Sequence, residues 1–399
     1  MRILLVVGSY YPELQFGGST QKIYELSLGL SGRGHGVEVM TFHSDRTVPH
    51  PPVDVQGVAV EYMPWVGRGS WRVPLRLRNL RGAVRRSDVV HCFGLYSLLC
   101  GEAALCARRA GRPYFVEPLG MYVPRARRLL AKKIYNALFS SWMLRGAAGV
   151  IATSAREYDE LSSAVSPGRL TLRRDGIDPQ PFASPVGAGL FRRRFGLRDG
   201  ERVVLFVGRI SRLKNLEQLI LAFGKAALDK TRLVLVGPMD EPDYTARLRA
   251  LLSETGLGEK VLLTGPLYEA DKLPAFAAAD LFVLPSLYES YGVAAAEAVA
   301  AGVPVLLTEE CGIAPVIHRR AGLAVPLGVE SLAAALRTML DDSAERAALV
   351  RERDKVVQEL TWEEPLTRLE ALYAKALRRR AGRPVPGASG THVPGQANE

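Results

Sequence analysis

Short runs of β-branched and other apolar residues alternate with longer helical patterns along nearly the whole chain. Continuous apolar runs are typical of strands that are buried on both faces of a parallel sheet. Their alternation with helices indicates stacked α/β layers. The predicted strands are 3–8, 37–42, 58–63, 89–93, 114–118 and 149–154 in the first half, and 202–208, 232–237, 261–265, 281–286 and 303–308 in the second half.

The chain is too long for one ordinary core, because its 399 residues suit two domains of common size. Segment 178–189 is rich in Pro, Gly and Ala and has no periodicity, so it is predicted to link them. We expect a first domain over 1–180 and a second over 190–364, both doubly wound and facing each other across a cleft. Ligands of such sheets bind at the carboxyl ends of the strands. A last helix over 365–380 is predicted to pack back on the first domain, followed by a disordered tail over 381–399.

Composition is typical of a globular protein in water, with 48% hydrophobic and 23% charged residues. The start of the chain has only a short apolar run, and polar residues interrupt every longer one. Neither a signal peptide nor a transmembrane helix is therefore predicted. The four cysteines lack metal-ligand spacing and are expected in the core. The expected location is the cytoplasm.

The net charge of +11 is concentrated in the first half. Residues 1–180 contain 24 Lys and Arg against 14 Asp and Glu, whereas the remainder contains 28 against 27. Segment 68–86 has seven Arg and segment 124–133 has five basic residues, both without an acidic residue. They are either solvated helix faces or a surface for an anionic inner membrane or a lipid-diphosphate acceptor. Nucleic acid is not expected as a partner, because no nucleic-acid motif accompanies the charge.

Segment 284–307 places two carboxylates, Glu289 and Glu297, eight residues apart. On one continuous helix they would diverge by about 80°. We therefore predict Glu289 in a loop after a strand and Glu297 in a helix that begins near Gly292, so that both face one ligand. The free backbone amides at that helix start suit a phosphate or sugar oxygen. They belong to Ser290, Tyr291, Gly292 and Val293.

A second segment, 204–223, places Arg209 just after a predicted strand and Lys214 just before a helix capped by Asn215. Two cations at a strand end and a helix N-terminus are typical of a diphosphate clamp. A diphosphate leaving group gains negative charge as its bond to a sugar breaks. Fixed cations then stabilise the transition state more than the ground state.

Gly17 and Gly18 lie between the first predicted strand and a helix for which Ser19 or Thr20 is the predicted cap. Glycines at this place let a ligand approach the backbone closely. A dinucleotide-binding loop would instead place G-x-G-x-x-G directly after the strand. Segment 29–36 contains G-x-G spacing but falls at a helix end, so dinucleotide binding is not predicted.

Together these segments resemble glycosyltransferase family 4, the retaining transferases of the GT-B fold, over about residues 1–375. The matching motifs are the GG loop, VVHCFG, GVIATSAREYDEL, RRDGID, VGRISRLKN, the E-x7-E pattern and AAGVPV. The resemblance implies two Rossmann-like α/β domains facing across a cleft. It implies a cytoplasmic hexosyltransferase for cell-surface polysaccharide or glycolipid synthesis, peripheral on the inner membrane. Its partners would be a nucleotide diphosphate sugar and a saccharide or lipid-linked saccharide acceptor.

The resemblance also implies roles for single residues. Arg209 and Lys214 would bind the donor diphosphate, Glu289 the hydroxyls of the donor sugar, and Glu297 the ribose. Gly17 and Gly18 would approach the phosphates from the opposite domain, and the amides of residues 290–293 would complete the cradle. Leu267, after a strand, is a predicted lining residue of the nucleotide site. No cofactor or bound metal is expected, and the sequence has no D-x-D motif.

Three positions depart from the family pattern. Leu119 stands where many relatives carry a sugar-contacting His, which makes Glu117 and Tyr122 candidate acceptor-side groups. Asp175 replaces the usual Asn of an N-G-I-D turn, a change expected to be structural. His91 matches the first His of an H-x-H-G pattern whose second His is Phe93 here, and it is either an acceptor-side residue or a core histidine.

Two other functions fit some of these features. A nucleotide-sugar epimerase can share the GT-B architecture, but it needs additional acid and base groups near the sugar. A non-catalytic nucleotide-sugar-binding protein is motivated by Leu119 and opposed by the intact set of Arg209, Lys214, Glu289 and Glu297. The sequence names neither the sugar, the nucleotide base nor the acceptor.

Overall fold

The computed structural model describes residues 1–13, 18–45, 51–68, 71–125, 135–184 and 186–381. Its first half contains ten described strands. They are β1 (Arg2–Val6), β2 (Gly36–Thr41), β3 (Val53–Val55), β4 (Val58–Tyr62), β5 (Trp65–Arg68), β6 (Trp71–Pro74), β7 (Val89–Phe93), β8 (Tyr114–Glu117), β9 (Gly149–Ala152) and β10 (Leu170–Leu172).

Eight of these strands form one sheet in the order β10-β9-β8-β7-β1-β2-β4-β3, and β5 with β6 forms a separate antiparallel hairpin. All pairings in the large sheet are parallel except that of β3 with β4. Every side chain of β7 and β8 is buried. That burial follows from helices on both faces of the sheet and matches the continuous apolar runs in the sequence.

Five described α-helices belong to the first half. They are α1 (Gly18–Gly32), α2 (Leu77–Arg86), α3 (Leu98–Arg109), α4 (Ser141–Gly146) and α5 (Ala155–Ser162), with a π-helical turn (Asn136–Ser140) before α4 and a 3₁₀ turn (Pro167–Arg169) after α5. Helices α2 to α5 pack on one face of the sheet through residues such as Leu80 and Leu99. Helix α1 packs on the other face through Ile23 and Leu26.

The second half is built on a six-stranded parallel sheet in the order β13-β12-β11-β14-β15-β16. Its strands are β11 (Arg202–Val207), β12 (Thr231–Val236), β13 (Val261–Gly265), β14 (Leu281–Leu284), β15 (Val305–Thr308) and β16 (Gly322–Val325). Its helices are α6 (Ala188–Arg194), α7 (Leu216–Ala226), α8 (Pro242–Glu254), α9 (Leu273–Ala278), α10 (Val293–Ala300), α11 (Ala314–Ile317), α12 (Val329–Asp341), α13 (Ser343–Leu349) and α14 (Arg353–Glu359), with 3₁₀ turns at Gln180–Phe182, Arg212–Lys214 and Glu269–Lys272.

The chain passes between the halves twice, and the two passages touch. The Ile177 amide donates to the Leu360 carbonyl at 2.8 Å, and Ile177 forms a parallel bridge with Thr361. A Cβ on Gly176 would lie 2.7 Å from the Trp362 Cα, so only glycine fits there. After the second passage, α15 (Glu363–Ala381) returns to the first half, where Tyr373 is buried beside α1.

All eleven predicted strands are present, with ends that differ by at most two residues. Strands β3, β5, β6, β10 and β16 were not predicted, because they are only three or four residues long and lack a long apolar run. A helix face was one of the two interpretations of arginine-rich segment 68–86, and the segment contains β6 as well as α2. Most of basic segment 124–133 lies outside the described residues, and so does the predicted tail beyond residue 381.

Candidate functional site

A cavity of about 1430 Å³ lies between the two halves. Residues that follow β8, β11, β12, β13 and β14 line it together with residues of α1. The cavity therefore stands at the carboxyl ends of both sheets, where doubly wound sheets bind their ligands.

Two glycines at strand ends bring the backbone of the second half close to this cavity. Gly208 has φ 159° and Gly237 has φ 153°. A Cβ on Gly237 would lie only 1.8 Å from the Gly208 carbonyl oxygen, so no larger residue fits. Both glycines line the cavity, although no sequence pattern distinguishes them from other glycines that follow strands.

Lys214 and Glu289 meet at this cavity. Lys214 ends the 3₁₀ turn before α7, and its ammonium donates to the Glu289 carboxylate in a short ion pair. Asn215 then adopts the left-handed conformation with φ 56°. Its side chain donates to the Pro285 carbonyl at 3.1 Å and does not cap α7, so the predicted capping role is wrong. This hydrogen bond instead ties the Lys214 turn to the end of β14.

The Glu289 backbone is held by a second loop. Its amide donates to the Glu310 carbonyl at 3.2 Å, and its carbonyl accepts from the Gly312 amide at 2.9 Å. Glu289 therefore lies in a loop after β14, as the sequence predicts, with its carboxylate facing Lys214.

Glu297 lies one turn inside α10 and is almost fully buried. Its carboxylate accepts a 2.5 Å hydrogen bond from Lys272, a residue that the sequence pattern did not indicate. Gly292, with φ 117°, turns the chain into the helix. The first amides of a helix have no partner within it, and residues 290–293 line the cavity.

Arg209 and Leu267 also line the cavity, after β11 and β13 respectively. The Arg209 guanidinium pairs with Asp240 at 2.8 Å, with both side chains about half exposed. Such a surface pair contributes little to stability. An anion entering the cavity can therefore compete with Asp240 for Arg209.

The first half contributes Gly18, the first residue of α1. A Cβ on Gly18 would lie 3.5 Å from the Val293 Cβ, so the two halves approach each other closely here. Ser19 and Thr20, the predicted caps, lie inside the helix instead, because α1 begins one residue earlier. Gly17 lies outside the described residues.

None of the three acceptor-side candidates is among the residues that line the cavity. His91 is fully buried, and its Nδ1 shares a 2.7 Å hydrogen bond with the Tyr373 hydroxyl of α15. Burial lowers the pKa of His91 to about 3, so it is a neutral core histidine. Tyr122 packs against the core between the sheet and helices α2 to α5. Its neighbours Leu119 and Met121 line the cavity instead.

Glu117 belongs to a buried ion cluster with Lys22, Arg173 and Asp175. It pairs with Lys22 and, at 2.7 Å, with Arg173, while Asp175 lies 2.9 Å from Lys22. Burial acts to raise the pKa of Glu117, but the charges of Lys22 and Arg173 outweigh it and lower the pKa to about 2. The same burial raises the pKa of Asp175. Lys22 lies in α1, Glu117 ends β8, and both Arg173 and Asp175 follow β10. No sequence pattern indicates that these three separate segments meet.

Lys22 and Asp175 reach the cavity wall from this cluster. The cluster therefore fixes α1, and with it Gly18, relative to the sheet. Glu25, one turn further along α1, also lines the cavity and accepts hydrogen bonds from Trp362 Nε1 at 2.8 Å and the Asp178 amide at 3.3 Å. Both donors belong to the passages between the halves.

Among the described residues, no three His, Cys, Asp or Glu side chains are grouped to hold a metal ion. No helix in the described ranges is long and apolar enough to cross a membrane. The four cysteines are buried and unpaired.

Two family models match the chain. The model described as glycosyl transferases group 1 matches residues 189–356, and the glycosyl transferase 4-like domain matches residues 17–176. These ranges correspond to the two halves that line the cavity.

Curated relatives align over most of the chain. A D-inositol 3-phosphate glycosyltransferase of Mycobacteroides abscessus is 30% identical, covering 78% of this chain and 74% of the relative. A glycogen synthase of Mycobacterium tuberculosis is 29% identical over 95% of both chains. A GDP-mannose:cellobiosyl-diphosphopolyprenol alpha-mannosyltransferase of Xanthomonas campestris is 28% identical, covering 87% and 91%.

Solved structures share the architecture at lower identity. Sucrose-phosphate synthase of Thermosynechococcus elongatus superimposes with a TM-score of 0.78 at 23% identity, covering 95% of this chain and 99% of the other. HepE of Anabaena, solved in complex with UDP and glucose, gives a TM-score of 0.73 at 19% identity, covering 94% and 100%.

Proposed function

Because this chain belongs to the family 4 type of glycosyltransferases with the GT-B fold, we propose that it moves a hexose from a nucleotide diphosphate sugar to a saccharide or lipid-linked saccharide acceptor. The transfer retains the anomeric configuration and uses no bound metal. The observation that carries the proposal is the convergence of Arg209, Lys214, Glu289 and Glu297 on one cavity between the halves.

The donor diphosphate lies between Arg209, Lys214 and the backbone amides at the start of α10. In the structure both cations are paired, Lys214 with Glu289 and Arg209 with Asp240. A diphosphate replaces these carboxylates as the partner of each cation, because charge-assisted bonds to phosphate are strong in a partly buried site. Glu289 is then free to accept hydrogen bonds from the hydroxyls of the donor sugar.

The ribose lies beside Glu297, which Lys272 holds in place. The sugar therefore faces Glu289 and the first half, and the nucleoside faces α10 and Leu267. Gly18 approaches the phosphates from the first half, where a side chain would reduce the gap to Val293. This orientation directs the anomeric carbon toward the acceptor side of the cavity.

The chemical step follows from this placement. The bond between the anomeric carbon and the diphosphate oxygen breaks while the acceptor hydroxyl oxygen bonds to the same face of that carbon. The acceptor proton passes to the departing phosphate oxygen. The cations stabilise the growing charge of the leaving group, and fixed groups need no reorganisation as that charge develops.

The test is a transfer assay with a panel of nucleotide sugars, in which NMR reads the anomeric configuration of the product. We expect retention, and a fall in kcat/KM of about 100- to 1000-fold in Lys214→Ala and Glu289→Ala, as for other groups that stabilise a transition-state charge. Lys225→Ala is the matched control, since this exposed lysine pairs only with Glu330 at the surface. Unreduced turnover in the Lys214 and Glu289 variants would remove the mechanism. Tight donor binding without turnover would favour a non-catalytic nucleotide-sugar-binding protein. Conversion of one nucleotide sugar to another without acceptor would favour an epimerase.

Docking on an anionic membrane is a second part of the proposal. Leu138 and Phe139, in the π-helical turn, are 65% and 58% exposed, and Val66 and Val73 of the β5–β6 hairpin are exposed as well. Helix α3 contacts β6, α4 and α2, so these apolar side chains lie in the neighbourhood of the arginine-rich helix α2. Exposed apolar residues beside positive charge are typical of interfacial membrane binding.

This docking predicts salt-sensitive binding to anionic vesicles. Binding to vesicles with phosphatidylglycerol should fall as salt rises, and vesicles of phosphatidylcholine alone should bind less. The double variant Leu138→Ser with Phe139→Ser should weaken binding at low salt. Binding that persists unchanged at high salt, or none at low salt, would contradict this part.

A further inference from the structure

The loop after β8 forms part of the cavity wall through Leu119 and Met121. Leu119 has φ 58° and Gly120 has φ 72°, both in the left-handed region. A leucine rarely adopts that region, so the surrounding structure must hold the loop. The Leu119 side chain offers no hydrogen bond, so the loop presents an apolar wall to the cavity.

The first half holds this loop from one side. The Gly120 amide donates to Glu157 Oε1 at 2.5 Å, and the Thr153 amide and hydroxyl donate to Glu157 Oε2 at 2.9 and 3.0 Å. Glu157 is fully buried. Arg125 also donates to the Gly120 carbonyl at 3.3 Å. Both polar groups of the Gly120 backbone are therefore fixed.

Tyr288 of the second half covers the loop from the other side. The Arg125 guanidinium lies 3.6 Å from the centroid of the Tyr288 ring, and that of Arg156 lies 5.3 Å from it. A Cβ on Gly120 would lie 2.8 Å from the Tyr288 hydroxyl. Gly120 is thus required both by its φ and by the ring, and Tyr288 directly precedes Glu289 in the chain.

Neighbouring contacts join the same two surfaces. Arg156 forms an ion pair with Glu310, whose carbonyl accepts from the Glu289 amide. A Cβ on Gly312 would lie 2.7 Å from the Ser154 Cβ, so the backbone of the second half is close to α5. The loop that contains Tyr288 and Glu289 and the neighbouring loop after β15 therefore both contact the first half.

We propose that Tyr288 is a positioning residue, whose ring fixes the wall loop 119–121 of the first half against the Glu289 loop of the second half. This contact closes the sugar end of the cavity to water. The inference rests on the proposed function, because water exclusion matters only for a donor that water can hydrolyse. Closing a site in this way suppresses hydrolysis and orients the reacting groups.

The ring, and not the hydroxyl, carries this role. The Tyr288 hydroxyl is buried and has no hydrogen-bond partner among the described residues. Cation–π attraction from Arg125 acts on the ring face and needs no hydroxyl. Phenylalanine should therefore replace tyrosine at this position with little loss.

The experiment uses the full chain and the nucleotide sugar that the wild type accepts. Transfer to acceptor and hydrolysis without acceptor are measured in Tyr288→Ala and Tyr288→Phe, with binding of the free nucleoside diphosphate by calorimetry. We expect Tyr288→Ala to lower kcat for transfer about 10- to 100-fold, as a misplaced reactive geometry does. We also expect the ratio of hydrolysis to transfer to rise at least about fivefold, because water enters. The transfer and hydrolysis rates of the Phe variant should change less than about threefold, and so should the Kd for the nucleoside diphosphate.

The possible outcomes separate the proposed function from the role of Tyr288. A wild type that neither binds a nucleoside diphosphate nor transfers a sugar removes the proposed function itself. An active wild type with an unchanged ratio in Tyr288→Ala overturns the inference alone, and so does a Phe variant as impaired as the Ala variant. If Tyr288→Ala does not fold, Gly120→Ala is the second variant, because its Cβ would displace the Tyr288 ring. This variant must raise the same ratio of hydrolysis to transfer. An unchanged ratio there also overturns the inference.

Discussion

Replacing Glu117 with Gln tests whether this residue supports the fold or contacts the acceptor. The change keeps the shape of the side chain and removes its charge. Lys22 and Arg173, both almost fully buried, would then share only the carboxylate of Asp175. Removing one partner of a buried ion pair costs about 3 to 5 kcal/mol, because a buried charge is left without compensation.

The pKa of Glu117 leads to a similar magnitude. It falls from an ordinary 4.5 to about 2 in the folded protein. At about 1.4 kcal/mol per pKa unit, this lowering corresponds to about 3 kcal/mol of stability. Because the folded pKa lies below the unfolded one, the contribution is complete above pH 4.5 and is lost progressively as the pH falls toward 2.

The assay is thermal unfolding at pH 7, followed by circular dichroism. We expect Glu117→Gln to lower Tm by roughly 6 to 20 °C, from about 2 to 4 °C per kcal/mol for domains of this size. The difference from wild type should narrow as the pH falls below 4.5. Glu330→Gln is the control, because its partner Lys225 is half exposed, and its Tm should change by less than about 1 °C.

A variant that keeps its stability but loses activity toward the acceptor would refute a structural role for Glu117. If Glu117→Gln unfolds within about 2 °C of wild type while kcat/KM for the acceptor collapses, Glu117 contacts the acceptor. The buried cluster would then not have the role that its geometry indicates.

Three further predictions follow from single contacts. Asp240→Asn should tighten nucleoside diphosphate binding by about two- to fivefold in calorimetry, because Asp240 would no longer compete with the diphosphate for Arg209. Weaker binding would contradict this prediction. Gly176→Ala should destabilise the protein by about 1 to 3 kcal/mol in urea unfolding, since its Cβ would meet the Trp362 backbone at 2.7 Å; an unchanged midpoint would contradict it. Trp362→Phe should lower the free energy of unfolding by about 1 to 3 kcal/mol in the same assay, because the indole donor to the Glu25 carboxylate is lost. Equal stability would show that this hydrogen bond makes no net contribution to stability.

The parallel core and the meeting of Arg209 and Glu289 at one cavity could be predicted from the sequence for a simple reason. Buried parallel strands are continuous apolar runs, and the residues that follow them converge at one sheet edge. Arg209 follows β11, and Glu289 follows β14, which pairs with β11 in the sheet. Order along the chain was therefore enough to place both groups at the same edge.

The acceptor side could not be predicted in the same way. His91 lies within β7 and Glu117 ends β8, and a polar residue in such a run is compatible with either a core group or a group that faces a ligand. Their burial depends on Lys22, Arg173 and Tyr373, which come from distant segments of the chain. The contact between Lys272 and Glu297 could not be predicted either, because no spacing rule relates a residue of a 3₁₀ turn to a residue of a distant helix.

Whether Arg209 and Lys214 hold one diphosphate can be measured by calorimetric binding of UDP, GDP and ADP to the wild type and to the Arg209→Ala and Lys214→Ala variants. We expect one site per chain for at least one of these nucleotides, with affinity reduced at least about tenfold in each variant, since each loses a charge-assisted bond. Equal affinity in all three proteins would contradict it, because the two cations would then not share the diphosphate.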